Sequence, residues 1–180
     1  MIADQTLPLE PHQTRPDVAD ECHPGRLRVT VVFTTIGGTL AALGAAAKLA
    51  GGLAAEIVIV VTDVVSFHYP LEYPPVTADY FERVCHALLE ESALDADVRI
   101  EVHFCRDQMD CLQRTLSPRS LVVIGGKDCR WPRRERKLER ALHALGHNAI
   151  LILASRRVYD SSTQSVVARL LQGSAARSEL

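Results

Sequence analysis

Apolar runs alternate with amphipathic stretches along the chain, and this pattern predicts strands and helices in alternation. Five strands are expected: Arg28 to Thr35, Glu56 to Thr62, Val98 to Cys105, a strand that begins at Leu121 and runs into a glycine turn within Leu121 to Lys127, and Ala149 to Leu153. The second strand is apolar on both faces, as in a strand covered by helices on each side. The third alternates apolar and polar residues, as a strand near the edge of a sheet does. The pattern therefore predicts βαβ units and an α/β fold with a parallel sheet.

The stretches between the strands have the spacing and punctuation of helices. Helices are expected at Leu40 to Ala50, Ala78 to Ser92, Gln108 to Leu116 and Arg133 to Leu145. Gly51 and Gly52 are predicted to end the first helix and Gly146 the last. The segment from Val64 to Thr77 combines prolines with aromatic residues, so a long structured loop is expected there.

The length and composition indicate one domain with two polar ends. The chain has 180 residues, of which 47% are hydrophobic, enough for a single buried core. Residues 1–26 contain four prolines and no periodic apolar pattern, so a flexible N-terminal arm is expected. The α/β domain is expected over residues 27–154 and a C-terminal tail over residues 155–180. Apolar residues at helical spacing predict one helix in that tail, around Ser165 to Leu171.

Charge and hydropathy exclude several classes of partner. The formal net charge is −2, so no general positive field attracts the protein to nucleic acid or to an anionic membrane. The N-terminus lacks the basic start and apolar core of a secretory signal. The longest apolar stretch, Leu40 to Val61, is interrupted by Lys48 and Glu56 and is not expected to span a membrane. A cytoplasmic protein is therefore expected, and its five cysteines, which form no CxxC pair, are predicted to be free thiols.

The order and lengths of these elements resemble the universal stress protein family. The segments that carry the resemblance are LRVTVVFTTIGG, LAAEIVIVV, VRIEVHFCRD, SLVVIGG and NAILILAS, and together they cover Leu27 to Ala154. The resemblance implies a Rossmann-like three-layer sandwich around a five-stranded sheet of order 3-2-1-4-5. It also implies a cytoplasmic protein that forms a homodimer through the last strand, here Ala149 to Leu153, in a family of which many members bind ATP.

The chain departs from the nucleotide-binding branch of that family. Thr34 stands where the branch has an acidic residue at the end of its first strand, and Asp128 stands where it has a second glycine. The closing glycine followed by Ser or Thr is also missing. Such glycines let backbone N–H groups approach phosphate oxygens closely. The chain therefore resembles a divergent branch without the usual ATP-binding motif.

A candidate ligand site follows from the implied strand order. Ligands of open α/β sheets bind at the carboxyl ends of the strands, where the strand order reverses. There the segment Leu121 to Lys127, a buried strand that is predicted to run straight into a glycine turn, lies beside the glycine turn after the first strand. The candidate ligand-binding residues are Thr34, Thr35, Gly37, Gly38, Gly125, Gly126, Lys127 and Arg130.

Structural interpretations of the same residues stay open beside this one. Close packing of a helix on the sheet explains Gly37 and Gly38 as well as a ligand does. The basic segment from Lys127 to Arg140 is either an anion pocket or a solvated helix face. The loop from Phe67 to Pro75 is either a lid or partner surface or only a cover for the sheet.

No motif identifies an enzyme or a metal site. No serine lies in a GxSxG motif, and His143 and His147 have Gly146 between them and no further ligand at suitable spacing. The first hypothesis is therefore a non-catalytic, stress-associated regulatory protein without a cofactor. The alternative is a protein that binds ATP, AMP or another phosphate-bearing ligand at an altered site at the ends of the first and fourth strands. A third hypothesis is an adaptor that presents the Phe67 to Pro75 loop or the tails.

Overall fold

The structure is a computed structural model that describes residues 27–53, 55–94, 96–128 and 133–175. Within these residues the elements are β1 (Arg28–Val32), α1 (Ile36–Leu53), β2 (Glu56–Val64), α2 (Ala78–Ser92), β3 (Val98–Cys105), α3 (Gln108–Thr115), β4 (Leu121–Lys127), α4 (Arg133–Ala144), β5 (Asn148–Ala154) and α5 (Arg156–Ala175). The strands form one parallel sheet in the order β3-β2-β1-β4-β5, which confirms the predicted α/β class and strand order. The predicted N-terminal arm lies outside the described residues.

Helices cover both faces of the sheet and bury its apolar side chains. One face packs against α1, α2 and α5 and the other against α3 and α4. Successive residues of a strand point to opposite faces, so Val31 and Ile59 belong to the first layer and Val32 and Val60 to the second. The apolar run of β2 therefore contributes alternate side chains to the two core layers. Every residue of β3 is only partly buried, in keeping with its place at the edge.

Local sequence signals fix several of the helix ends. Asp107 caps α3 by accepting a hydrogen bond from the backbone N–H of Asp110 over 2.9 Å. Gly146 follows α4 with a φ of +86°, a conformation that glycine adopts without steric cost. The apolar face of α2 carries Val84, Cys85 and Leu88 into the core. These signals are local, and the predicted bounds of α2, α3 and α4 agree closely with the observed ones.

The first helix is longer than predicted at both ends. It begins at Ile36 and ends at Leu53, so the glycines at 37, 38, 51 and 52 lie inside the helix. At its start, the hydroxyl oxygen of Thr35 accepts a hydrogen bond from the N–H of Gly38 over 3.3 Å, which caps the first turn. At its end, added Cβ atoms on Gly51 and Gly52 would meet nothing within 4 Å, so no close packing contact requires a glycine at either position. The prediction that glycine ends this helix was wrong.

The glycines of β4 also differ from their predicted role. Gly125 and Gly126 continue the strand and pair with Ile152 and Leu153 of β5, and the strand ends only at Lys127. The predicted glycine turn is therefore wrong, because the ladder with β5 keeps the backbone extended through both residues.

The C-terminal segment forms a long helix in place of the short one predicted. The helix α5 runs from Arg156 to Ala175 and packs on α1 and α2. Val166 is completely buried in the core layer beneath it. Glu91 of α2 accepts hydrogen bonds from Ser165 over 2.8 Å and from Arg169 over 3.2 Å. Among the described residues, no helix has the length and hydropathy needed to cross a membrane.

Candidate functional site

Thr34, just beyond the end of β1, is tied to β4 and to α1 at the carboxyl edge of the sheet. The hydroxyl of Thr34 donates a hydrogen bond to the carbonyl oxygen of Gly125 over 2.6 Å. The backbone N–H of Thr34 donates to the hydroxyl oxygen of Thr39 in α1 over 3.2 Å. Thr34 therefore holds β1, β4 and α1 together at the point where the strand order reverses.

The glycines predicted for the site allow the first turn of α1 to lie directly on β4. An added Cβ on Gly125 would overlap the carbonyl oxygen of Gly38, and one on Gly38 would lie 2.7 Å from the carbonyl oxygen of Gly125. On the other side of α1, a Cβ on Gly37 would lie 2.7 Å from both the hydroxyl oxygen of Thr163 and the carbonyl oxygen of Tyr159. The space beside these glycines is thus filled by the chain itself, as the packing interpretation expects.

The helix α5 covers the helix-α1 side of the crevice. The hydroxyl of Tyr159 donates a hydrogen bond to the hydroxyl oxygen of Thr35 over 2.8 Å. The ammonium group of Lys127 lies 2.8 Å from the Asp160 carboxylate and 5.0 Å from the centre of the Tyr159 ring. The positive charge of Lys127 is therefore balanced by a carboxylate from the same chain, in a partly exposed ion pair.

An open cleft lies on the opposite side of the strand ends. Its volume is about 250 Å³, and it lies between the ends of β1 and β2 and the first turns of α3 and α4. The polar residues that line it are Thr34, Thr35, Thr62, Asp63, Gln108, Arg134 and Glu135. The amide of Gln108 donates a hydrogen bond to the hydroxyl oxygen of Thr62 over 3.0 Å, which joins α3 to β2 across the floor.

Side chains of both charge signs line this cleft. Burial raises the pKa of the Asp63 carboxyl, which has no hydrogen bond or ion pair with the described residues. The exposed guanidinium of Arg134 comes from the start of α4, also without an ion-pair partner in the described part of the chain. The cleft can thus offer a carboxylate, a guanidinium and an amide to a small polar ligand.

Sequence reasoning missed Asp63 and Gln108 as site residues. Asp63 is the first acidic residue after the apolar run of β2, and such a residue at the carboxyl end of a parallel strand was a usable signal. Gln108 opens α3 immediately after its cap, but nothing local to Gln108 indicates that it contacts Thr62, which lies 46 residues away. Only the packing of α3 against β2 brings the two together.

The predicted site residues separate into three groups. Thr34 and Thr35 line the cleft. The four glycines serve packing: three in the contacts described above, and Gly126 beside Glu135, whose Cγ would lie 2.9 Å from an added Cβ. Lys127 is paired with Asp160, and Arg130 lies outside the described residues. That any of these residues binds a ligand stays a prediction.

The basic segment is largely an exposed helix face. In α4, Leu138 and Leu142 face the core, while most of the basic side chains of the helix are exposed. His147 lies beyond the end of α4 and is buried, so it does not share a helix face with His143. Among the described residues no group of three or more His, Cys, Asp or Glu side chains is placed to hold a metal ion.

The loop from Phe67 to Pro75 is anchored by hydrogen bonds to its backbone, whereas two of its aromatic side chains are exposed. The guanidinium of Arg106 donates hydrogen bonds to the backbone carbonyls of Val65 over 3.0 Å and of Tyr69 over 2.8 Å. The Phe67 ring, 5.0 Å from the same guanidinium, is 85% exposed and the Tyr73 ring 79%. No residue of this loop lines the 250 Å³ cleft. That a protein partner binds there stays a prediction.

Comparison with known proteins gives a likeness in structure but no match to a family or to a curated sequence. No protein-family model matches the chain, and no curated protein matches it either. The chain is similar to a solved structure described as the crystal structure of a universal stress protein in complex with cAMP, with 14% sequence identity and a TM-score of 0.40. The match covers 72% of this chain and 97% of that one. The strand order is observed in the sheet itself, and a likeness at this level assigns neither a family nor a ligand.

Proposed function

We propose that this protein is a non-catalytic regulatory protein of the universal stress protein type that does not bind ATP in the usual way. The sequence segments named above and the sheet order support the resemblance. The observation that carries the proposal is the contact of α5 with the crevice between β1 and β4. Tyr159 occupies the space over Thr35, and Asp160 neutralises Lys127.

A nucleoside triphosphate such as ATP would have to displace these contacts of Tyr159 and Asp160. Its phosphates need free backbone N–H groups and unpaired cations. Here Gly125 and Gly126 continue β4 in register with β5, the Gly125 carbonyl already accepts from Thr34, and the carboxylate of Asp160 would repel a phosphate that approaches Lys127. Both the hydrogen bonds and the charge that ATP requires are already used within the chain.

Calorimetric titration of the full chain with ATP tests this proposal. We expect no binding at millimolar ATP for the wild type or for Lys127→Met, which removes the candidate cation. Binding of ATP below millimolar concentration that is lost in Lys127→Met would overturn it.

The second candidate function is binding of AMP or another small phosphate-bearing ligand in the 250 Å³ cleft. The observation that favours it is the guanidinium of Arg134, which lines the cleft with Thr34 and Gln108 and forms no ion pair with the described residues. Its positive charge would have to offset the carboxylates of Asp63 and Glu135 in the same lining. Arginine recognises phosphate through paired hydrogen bonds. The volume lies below the roughly 300–1,000 Å³ of ordinary ligand sites, which favours AMP over ATP.

Matched arginine variants test the second candidate. We expect AMP to bind more weakly by about tenfold to Arg134→Gln, the loss of about 1.4 kcal/mol from one charged hydrogen bond. The control is Arg136→Gln, on the same helix but outside the cleft lining, which should bind AMP like the wild type. Absence of heat at millimolar AMP, or equal losses in the two variants, removes this candidate.

The proposal includes a homodimer through Ala149 to Leu153. The strand β5 is the last of the sheet and pairs with β4 on one side. Asn148 and Ala154 form hydrogen bonds toward β4, so the alternate residues, among them Leu151, direct their backbone groups to the open side. An open apolar edge invites pairing with a second copy of the same strand.

A further inference from the structure

Two cysteine thiols share a cleft at the edge of the sheet that is farthest from β5. Cys105 is the last residue of β3, and Cys111 lies in α3. Both side chains are partly exposed, and both line a cleft of about 590 Å³ together with Arg106 and Arg114. The two thiols are thus accessible to a small reagent from solution, and a dimer through β5 would leave them so.

The turn between β3 and α3 brings the two cysteines to the same cleft. Between them the chain turns at Asp107, whose carbonyl oxygen accepts a hydrogen bond from the N–H of Cys111 over 3.1 Å. The cap that Asp107 gives to α3 fixes the direction in which the helix leaves the turn. The helix therefore folds back on the end of β3, so Cys105 and Cys111 line the same cleft, close enough for Cys111 to raise the pKa of Cys105.

A second contact orients the Cys105 side chain. Its sulfur lies 3.6 Å from the backbone carbonyl oxygen of Asp63, to which the thiol donates. Cys105 is thus held at the end of the sheet, with Cys111 beside it on the helix. A disulfide requires two side chains that can approach each other, and the shared cleft and the influence of Cys111 on the pKa of Cys105 place this pair side by side.

We propose that Cys105 and Cys111 form a dithiol site that hydrogen peroxide oxidises to an intramolecular disulfide.

The surroundings of the two thiols determine which of them reacts with peroxide first and which then closes the disulfide. Burial raises the pKa of Cys105 to about 12, and the neighbouring Cys111 and the carboxylates of Asp107 and Asp63 act in the same direction. The thiolate is the nucleophile in such reactions, so the raised pKa of Cys105 makes it a poor first nucleophile toward peroxide. Cys111 therefore reacts first with peroxide, and Cys105 follows.

The reaction balances with peroxide as the oxidant. The Cys111 sulfur attacks one peroxide oxygen, an S–O bond forms, the O–O bond breaks, and the leaving oxygen departs as water with the thiol proton, which leaves a sulfenic acid on Cys111. The Cys105 sulfur then attacks the sulfenic sulfur, an S–S bond forms, the S–O bond breaks, and a second water leaves with the Cys105 proton. The two sulfurs together give two electrons to the peroxide.

Cys85 provides an internal control. It is completely buried in the core layer under α2, and burial raises its pKa to about 12. It is a free thiol, and the neighbouring Glu82 raises its pKa in the same direction as burial. Peroxide that oxidises the folded protein through the dithiol site should therefore leave Cys85 reduced.

Mass spectrometry of the full chain tests the proposal. The reduced protein is treated with hydrogen peroxide, alkylated and digested, and we expect a cross-link between the peptides of Cys105 and Cys111 with loss of two hydrogens. In Cys105→Ser, dimedone should trap a sulfenic acid at Cys111. In Cys111→Ser, oxidation at Cys105 should be slower by about tenfold or more, because its thiolate is scarce. Cys85→Ser should give the wild-type cross-link.

Three results would overturn the proposal. One is oxidation of Cys111 in the wild type while Cys105 stays a thiol. Another is a cross-link that joins either residue to a second chain or to a different cysteine. The third is failure of peroxide to oxidise either thiol although an alkylating reagent modifies both. Circular dichroism of each variant ensures that only folded protein is compared.

Discussion

The hydroxyl of Tyr159 donates a hydrogen bond to the hydroxyl oxygen of Thr35 over 2.8 Å and joins two residues that are 124 positions apart. The same Thr35 oxygen accepts a hydrogen bond from the N–H of Gly38. One threonine thus caps α1 and anchors α5, so the C-terminal helix is attached to the end of the central strand. With this contact α5 covers the α1 side of the strand ends, and the cleft on the opposite side stays open.

Removal of this hydroxyl should cost a modest amount of stability. Tyr159→Phe keeps the ring beside Lys127 and loses only the hydrogen bond, so we expect the free energy of unfolding to fall by about 0.5–1.5 kcal/mol. The check is urea denaturation. Tyr73→Phe, whose ring is largely exposed in the loop, should change stability by much less. Equal changes in the two variants would contradict an anchoring role for Tyr159.

Two glycine substitutions should act in opposite directions. Gly125→Ala would place a Cβ on the carbonyl oxygen of Gly38, a backbone atom that can move only with α1. We expect a loss of about 3 kcal/mol or more. Gly44→Ala adds a methyl group where nothing lies within 4 Å, in the exposed interior of α1, and should stabilise the protein by about 0.5–1 kcal/mol. Urea denaturation distinguishes the two, and a tolerated Gly125→Ala would refute the close contact.

The stability of an Asp63→Asn variant should depend on pH in a characteristic way. Because burial raises the pKa of Asp63 in the folded state, the stability that its protonated form provides is lost as the pH rises through that pKa. Asp63→Asn should therefore be more stable than the wild type at pH 7, and the difference should disappear below the ordinary value of 3.8. The measurement is the unfolding free energy against pH.

Glu101→Gln is the control of opposite sign. The contact with His103, whose Nε2 lies 3.7 Å from the carboxylate, lowers the pKa of Glu101, and Arg28 and Arg99 reinforce this effect. Its stabilisation is present above the ordinary value of 4.5 and is lost as the pH falls through the lower folded-state pKa. Glu101→Gln should be less stable than the wild type at pH 7, and the difference should narrow in acid. The same sign for both variants would contradict these assignments.

A charged side chain on the edge strand β5 should dissociate the proposed dimer. Ile150 is 36% exposed on this strand, and Ile150→Lys should convert the dimer to a monomer, because a charge on an edge strand opposes pairing between copies. Sedimentation at micromolar concentration measures the change. The control is Val64→Lys, at a 50% exposed position at the end of β2, which should leave the dimer intact. A monomeric wild type would refute the dimer.

The sequence by itself determined the elements of the sheet and their class. The continuous apolar run of β2 and the alternation in β3 predict a central and an edge strand, and both strands occupy those places. The cap at Asp107 and the glycine at 146 mark helix ends for local reasons. Such signals depend on a residue and its near neighbours along the chain, so they can be interpreted without the fold.

Only the tertiary structure decided what the candidate site residues do. A glycine that approaches a phosphate and a glycine that approaches a carbonyl have the same sequence signature, and Gly125 approaches the carbonyl of Gly38. Lys127 has a partner 33 residues away on a helix that sequence reasoning placed only in part. These roles depend on contacts between residues that are far apart in the sequence. The packing of α5 on α1 covers one side of the strand ends and leaves the cleft beside Asp63 open.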